Sequence, residues 1–102
     1  MYLMCFDEVV ELNEYPENSQ IPENQYLLFG TDLSGNYIVV STHPKQSNRI
    51  SFIDTGAFAS YGLVERHICR TEFTIETFFP WVHATANGIH ERWKHHYLSL
   101  DE

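Results

Sequence analysis

The stretch YLLFGTDLSGNYIVVST, residues 26–42, decides the fold of this chain. Two apolar, β-prone runs, residues 26–29 and 37–42, flank a short polar segment between Gly30 and Gly35. Runs of this kind separated by turn-forming residues are typical of a β-hairpin. The spacing of the two glycines also matches part of a phosphate-binding loop, so the sequence offers two interpretations.

The residues around the glycines favour the hairpin. A phosphate-binding loop carries Lys and then Ser or Thr after its second glycine, whereas Asn36 and Tyr37 follow Gly35 here. A β-type run comes next, so no helix N-terminus would face an anion. Asp32 is a turn former, and Gly35 or Asn36 can adopt a positive φ. We therefore predict a structural turn that depends on Gly30, Gly35 and Asn36.

Around this hairpin the sequence predicts an α+β fold. We expect a small antiparallel meander of three or four strands, flanked by a short N-terminal helix and one or two C-terminal helices. Before the hairpin we predict a short strand over 1–5, a helix over 6–15 capped by Asp7, and a loop over 16–25. After it we predict a strand over 49–54, a loop over 55–62 and a strand over 63–69. The chain then continues with a helix that starts near Thr77 and ends at 87–88, followed by a helix or tail over 89–102.

Apolar residues at helical spacing support both main helices. In the first helix, Phe6, Val9 and Val10 would share one face. In the second, apolar residues recur from Ile75 to Ala86, with Pro80 among them. If Thr77 is the N-cap, Pro80 lies at the third helical position, where the missing N–H of proline costs nothing.

Length and composition indicate one globular domain over residues 1–102. Hydrophobic residues make up 43% and aromatic residues 15% of the 102, which is enough for a core. No apolar run approaches the length of a membrane span, and the start lacks the basic region of a signal peptide. We therefore expect a cytoplasmic protein in which Cys5 and Cys69 are free, buried thiols.

The charge is distributed unevenly along the chain. The net charge is −8, and residues 1–44 hold seven acidic residues and no Lys or Arg. Such a surface repels nucleic acid and anionic membranes, so we expect neither as a partner. A basic protein is the natural complement of this charge, although acidity can also serve solubility alone.

The hairpin and the strand after it resemble the SUKH superfamily, which includes bacterial toxin-immunity proteins and fungal cell-wall-synthesis regulators. Phe29-Gly30, residues 34–37 and residues 50–54 match its pattern of strand, Phe-Gly, polar turn, strand and a third strand with an acidic end. FDEVVELNEY upstream and FTIETFF downstream resemble its flanking helices, so the similarity spans roughly residues 3–82. The resemblance implies a protein-binding role without catalysis.

One departure from the SUKH pattern concerns the N-terminus. Members of the family usually carry additional N-terminal helices, which this sequence lacks. The sheet would then have an uncovered face or edge, and a homodimer or another partner could fill it.

Signals for catalysis or metal binding are weak. His90 and His95 miss the HExxH spacing by one residue, so they share a helix face poorly, and His96 adds no motif. His67 and Cys69 would share a strand face, yet no residue is in place to orient a Cys/His nucleophile. We expect no metal, no cofactor and no enzymatic activity.

The sequence thus predicts an immunity-type protein that neutralises a toxin, such as a nuclease, by binding it. The alternatives are a regulatory scaffold without a toxin partner and a small metal-dependent enzyme that uses the His-rich C-terminal segment. The predicted partner-binding residues are Glu8, Glu11, Asp32, Asp54 and Trp93.

Overall fold

The computed structural model describes residues 1–32, 34–46 and 48–84. The fold is α+β, with a five-stranded antiparallel sheet whose strands follow one another in chain order. The strands are β1 (Tyr2–Leu3), β2 (Tyr26–Thr31), β3 (Asn36–Ser41), β4 (Arg49–Asp54) and β5 (Ile68–Thr74). The helices are α1 (Phe6–Glu14), α2 (Gln20–Glu23), α3 (Thr55–Tyr61) and α4 (Ile75–Ala84), and short 3-10 turns cover Pro16–Asn18, Pro44–Gln46 and Glu65–His67.

The central hairpin forms as predicted, with Leu28 opposite Val39 and Thr31 opposite Tyr37. Its turn is held by Asp32, whose Oδ1 accepts hydrogen bonds from the backbone N–H groups of Ser34 and Asn36, both at 2.9 Å. The Asn36 side-chain amide donates to the other carboxylate oxygen of Asp32 at 2.8 Å. These bonds make the bend a rigid link between two strands.

Each of the two predicted glycines has a distinct role in this hairpin. Gly35 has a φ of +83°, a region that favours glycine. Gly30 pairs with Leu3 of β1, and a Cβ atom added to it would lie 2.8 Å from the Tyr2 carbonyl oxygen. Gly30 therefore permits the close approach of β1, whereas Gly35 permits the turn.

Both faces of the sheet carry a buried cluster in the described part of the chain, so neither face is bare there, and an uncovered edge stays a prediction. Helix α4 packs on one face and α1, α2 and α3 supply residues to the other. The α4-side cluster consists of Ile38, Val40, Ile50, Phe52, Phe73 and Phe78. The opposite cluster consists of Ile21, Leu28, Val39, Ile53 and Ile68.

Several predicted loops and boundaries differ from the structure. The count of three or four strands is too low, since β1 to β5 all join one sheet. The predicted loop over 55–62 contains α3, because Asp54 caps this helix by accepting the Ala57 N–H at 3.0 Å and Gly62, at φ +76°, ends it. The predicted loop over 16–25 contains α2.

The last described strand and helix also begin elsewhere than predicted. Strand β5 starts at Ile68, opposite Ile53 near the end of β4, so residues before Ile68 have no β4 partner. Helix α4 follows β5 directly and begins at Ile75, where the Thr77 hydroxyl accepts the Thr74 N–H at 3.0 Å. Pro80 is therefore inside the helix rather than in its first turn.

Two further sequence predictions concern thiols and membranes. Cys5 and Cys69 do not form a disulfide, but Cys5 is exposed and Cys69 half-buried, so the prediction that both are buried is wrong. Among the described helices, none combines the length and the apolar character that crossing a membrane requires. The predicted helix end at 87–88 and the segment 89–102 lie outside the described residues.

Candidate protein-binding surface

Helix α1 begins at a network of polar groups that fixes its first turn. Cys5 is the N-cap, and its backbone N–H donates to the Glu8 carboxylate at 3.2 Å. The Tyr2 hydroxyl donates to the same carboxylate. The hydrogen bond from Tyr2 and, to a smaller extent, the one from Cys5 lower the pKa of the Glu8 carboxyl group. The same hydrogen bond to Glu8 raises the pKa of the Tyr2 phenol. Cys5 and Glu8, rather than Asp7, thus cap the helix.

One side-chain amide attaches the other end of α1 to the sheet. The Asn13 Nδ2 donates to the carbonyl oxygens of Val9 and Leu28, both at 2.7 Å. The Asn13 Oδ1 accepts the Leu28 backbone N–H at 2.9 Å. Asn13 therefore forms hydrogen bonds with both the N–H and the C=O of Leu28, a fully buried residue of β2. These bonds fix which side of α1 faces the sheet.

The opposite side of α1 combines exposed apolar and acidic residues. At about 100° per residue, five residues of the helix fall within an arc of roughly 140°, and all five are exposed. We call these residues, together with the exposed Tyr2, the α1 surface: Tyr2, Phe6, Asp7, Val10, Glu11 and Glu14. Phe6 is 79% exposed and Val10 41%. Phe6 and Val10 are four residues apart and so lie next to each other on the helix, which makes them the apolar part of this surface.

The acidic residues of this surface have no nearby basic neighbours in the sequence. No Lys or Arg occurs in residues 1–44, and α1 has no basic residue in its last turn. Asp7, Glu11 and Glu14 lie on the same exposed arc as Phe6 and Val10 and give it a negative charge. The Tyr15 hydroxyl donates to Glu11 at 2.9 Å, which raises the pKa of the Tyr15 phenol.

The predicted partner-binding residues separate into different groups. Glu11 lies on the α1 surface, whereas Glu8 is half-buried and serves the helix start. Asp32 is 7% exposed and holds the hairpin turn, and Asp54 caps α3, so both have local structural partners. Trp93 lies outside the described residues.

Sequence reasoning missed Phe6 as a surface residue. The prediction placed Phe6, Val9 and Val10 on one face, and in the structure Phe6 and Val10 are exposed whereas Val9, like Leu12 and Asn13, is half-buried. The signal was present in the sequence, because Phe6 and Val10 fall in the same arc as three carboxylates.

The residues weighed for catalysis or metal binding are not assembled into a site within the described ranges. His67 belongs to the 3-10 turn before β5, so it does not share a strand face with Cys69. Among residues 1–32, 34–46 and 48–84, no three His, Cys, Asp or Glu side chains form a group that could hold a metal ion. His90, His95 and His96 lie outside these ranges.

The α1 surface is thus a fixed, acidic face with an exposed aromatic residue at its start. Comparison of the chain with protein-family models, with curated proteins and with solved structures finds no match.

Proposed function

We propose that this chain is a non-catalytic protein-binding module of the immunity type, which neutralises a basic toxin domain by binding it through the α1 surface. The observation that carries the proposal is Phe6, 79% exposed on the side of α1 that also carries Asp7, Glu11 and Glu14. The module would act in the cytoplasm and would need no cofactor. A nuclease fits as the toxin, because its nucleic-acid groove must be basic.

Charge supports the choice of a basic partner. The first 44 residues hold seven acidic and no basic residues, and three of the acidic side chains belong to the α1 surface. Opposite charges on two proteins raise the rate at which they meet, and this gain falls as salt screens the charges. The negative face would therefore direct the module to a basic groove.

Apolar contacts would then supply most of the affinity. Phe6, Val10 and Tyr2 are exposed large side chains on or beside α1. Aromatic anchors that enter a pocket on a partner commonly account for a large part of binding energy. Asn13 holds the helix against β2, so these anchors need little reordering on binding.

The resemblance of the central hairpin to the SUKH superfamily also supports an immunity role. Gly30, Gly35 and Asn36, which belong to the stretches that carry the resemblance, lie in this hairpin. In this proposal the toxin, rather than a second copy of the chain, covers the α1 surface.

The neighbouring gene provides the test. Its product, or the toxin domain of that product, would be expressed in a bacterial host with and without this chain. We expect the neighbour alone to arrest growth and co-expression of this chain to restore it, with a direct complex recovered by purification. A harmless neighbour, or protection without a complex, would contradict the proposal and favour a scaffold role.

Two matched variants test whether the α1 surface is the part of the chain that contacts the toxin. Phe6→Ser should abolish protection, because it removes the central anchor. Tyr61→Ser is the control, since Tyr61 is an aromatic residue 69% exposed on α3, away from α1. Equal protection by both variants would show that the α1 surface is not the contact.

A further inference from the structure

A cavity of about 360 Å³ opens on the sheet face opposite α4. Its floor includes Tyr26 of β2 and Ile68 and Arg70 of β5. Leu63, from the segment between α3 and β5, forms part of one wall, and the β3–β4 connection contributes Lys45 to another. The volume lies within the range of pockets that hold small molecules.

The cavity concentrates positive charge in an acidic chain. Within residues 1–84 the basic residues are Lys45, Arg49, Arg66 and Arg70, and two of the four line this cavity. The Arg49 guanidinium donates to the Thr71 carbonyl oxygen at 2.7 Å, outside the cavity lining. Both Lys45 and Arg70 therefore contribute their charge to the cavity lining.

Neutral donors and an apolar wall complete the lining. Burial raises the pKa of the Tyr26 phenol, and the charge of Arg70 lowers it by a smaller amount. The Tyr26 hydroxyl is therefore protonated and can donate a hydrogen bond to a ligand. His43 Nδ1 accepts the Lys45 backbone N–H at 3.0 Å, which leaves Nε2 as the ring donor. Leu63 and Ile68 are apolar, and Glu65 is the one carboxylate of the lining.

We propose that this cavity binds a small organic anion, with a carboxylate or phosphate group on Arg70 and Lys45 and an apolar body against Leu63 and Ile68. Arg provides a planar fork that matches both kinds of anionic group, and Lys adds a point charge. The site lies apart from the α1 surface and does not depend on a protein partner.

The test uses defined probes on the ¹⁵N-labelled full chain, followed by NMR titration. Benzoate and phenyl phosphate are the anionic probes, benzyl alcohol is the uncharged comparison, and inorganic phosphate lacks the apolar body. We expect the two aromatic anions to shift the amide signals of Tyr26, Ser41 and Ile68 in a saturable manner. Both should bind at least about tenfold more tightly than benzyl alcohol, as a charge-assisted contact predicts.

Variants identify the groups that hold the anion. Arg70→Gln should weaken binding of phenyl phosphate by about tenfold or more, and Lys45→Gln should also weaken it. Arg66→Gln removes the same charge from an exposed residue outside the cavity lining and should leave the affinity unchanged. Lys45 is exposed on a loop, so its variant gives a result even where Arg70→Gln fails to fold.

Three results would overturn the proposal. Signal changes centred elsewhere would show that the probes do not enter the cavity. Equal weakening by Arg66→Gln and Arg70→Gln would show that only the overall charge matters. Binding of inorganic phosphate as tight as that of phenyl phosphate would show that the apolar wall takes no part.

Discussion

At the scale of single residues, Asn13 has the largest structural effect for its size. Its amide makes three hydrogen bonds, two of them to the backbone of Leu28, which is fully buried. Buried backbone groups that lose their partners cost more than the net value of an ordinary hydrogen bond. Asn13 therefore contributes directly to holding α1 against β2.

We therefore expect Asn13→Ala to lower the free energy of unfolding by about 2–3 kcal/mol. Chemical denaturation monitored by circular dichroism measures this change. Asn24→Ala is the matched control, because the Asn24 amide donates to the Gln20 carbonyl oxygen on an exposed helix end and should cost less than about 1 kcal/mol. Similar losses in the two variants would mean that Asn13 is not a special anchor.

At the scale of elements, α4 contains an unfavourable residue that the structure tolerates. Pro80 is the sixth residue of the helix, so the Glu76 carbonyl oxygen lacks the hydrogen bond that an N–H at position 80 would donate. The helix is held instead by packing, since Phe78 is fully buried and Trp81 lies 5.0 Å from the Phe73 ring, between centroids. Tertiary contacts therefore outweigh a local defect.

Replacing this proline should stabilise the protein. Pro80→Ala restores the missing N–H on an exposed residue, and we expect a gain of about 1–3 kcal/mol in the free energy of unfolding. Phe79→Ala, a change at the adjacent, 40% exposed position, is the control for altered helix propensity. A loss of stability in Pro80→Ala would mean that the proline ring contributes more through packing than it costs.

The elements also show what the sequence could and could not predict. Strands β2, β3 and β4 were predictable, because runs of β-prone residues lie on either side of clear turn signals around Gly35 and Asn48. Helix α3 was missed because its small residues show little hydrophobic periodicity. Its start depends on Asp54 as the N-cap, and an Asp at that position is equally typical of a turn. The start of β5 is set by pairing with Ile53, which no local pattern encodes.

The same contrast applies to the candidate sites. The acidic first half was visible in the sequence, but the exposure of Phe6 was not predicted. The cavity was not predicted, because Tyr26, Lys45 and Arg70 come from three distant segments that only the sheet brings together.

At the scale of the whole molecule, the two proposed sites have opposite charge and use different elements. The α1 surface is acidic, whereas Lys45 and Arg70 line the cavity beside the sheet. The protein has a net charge of −8, so its long-range electrostatic field would attract basic proteins and repel anions. A small anion would therefore be held only by contacts at short range.

Charge reversal distinguishes local from global electrostatics. Asp7→Lys/Glu14→Lys changes two exposed residues of the α1 surface, and Glu23→Lys/Glu65→Lys changes the charge equally at exposed residues elsewhere. We expect the first pair to lower the association rate with the captured toxin by about tenfold at low salt and to reduce its salt dependence. Stopped-flow kinetics measures both quantities, and an equal decrease in the two double variants would exclude a specific α1 contact.

The Asn13 amide has one more consequence for the molecule. Strand β1 pairs with β2 over only two residues, and beyond it the backbone N–H and C=O of Leu28 are bonded to Asn13. A strand from another chain finds no free hydrogen-bonding row at Leu28 to extend. The side chain that anchors a helix thereby also limits intermolecular sheet growth, and so aggregation, at this border of the fold.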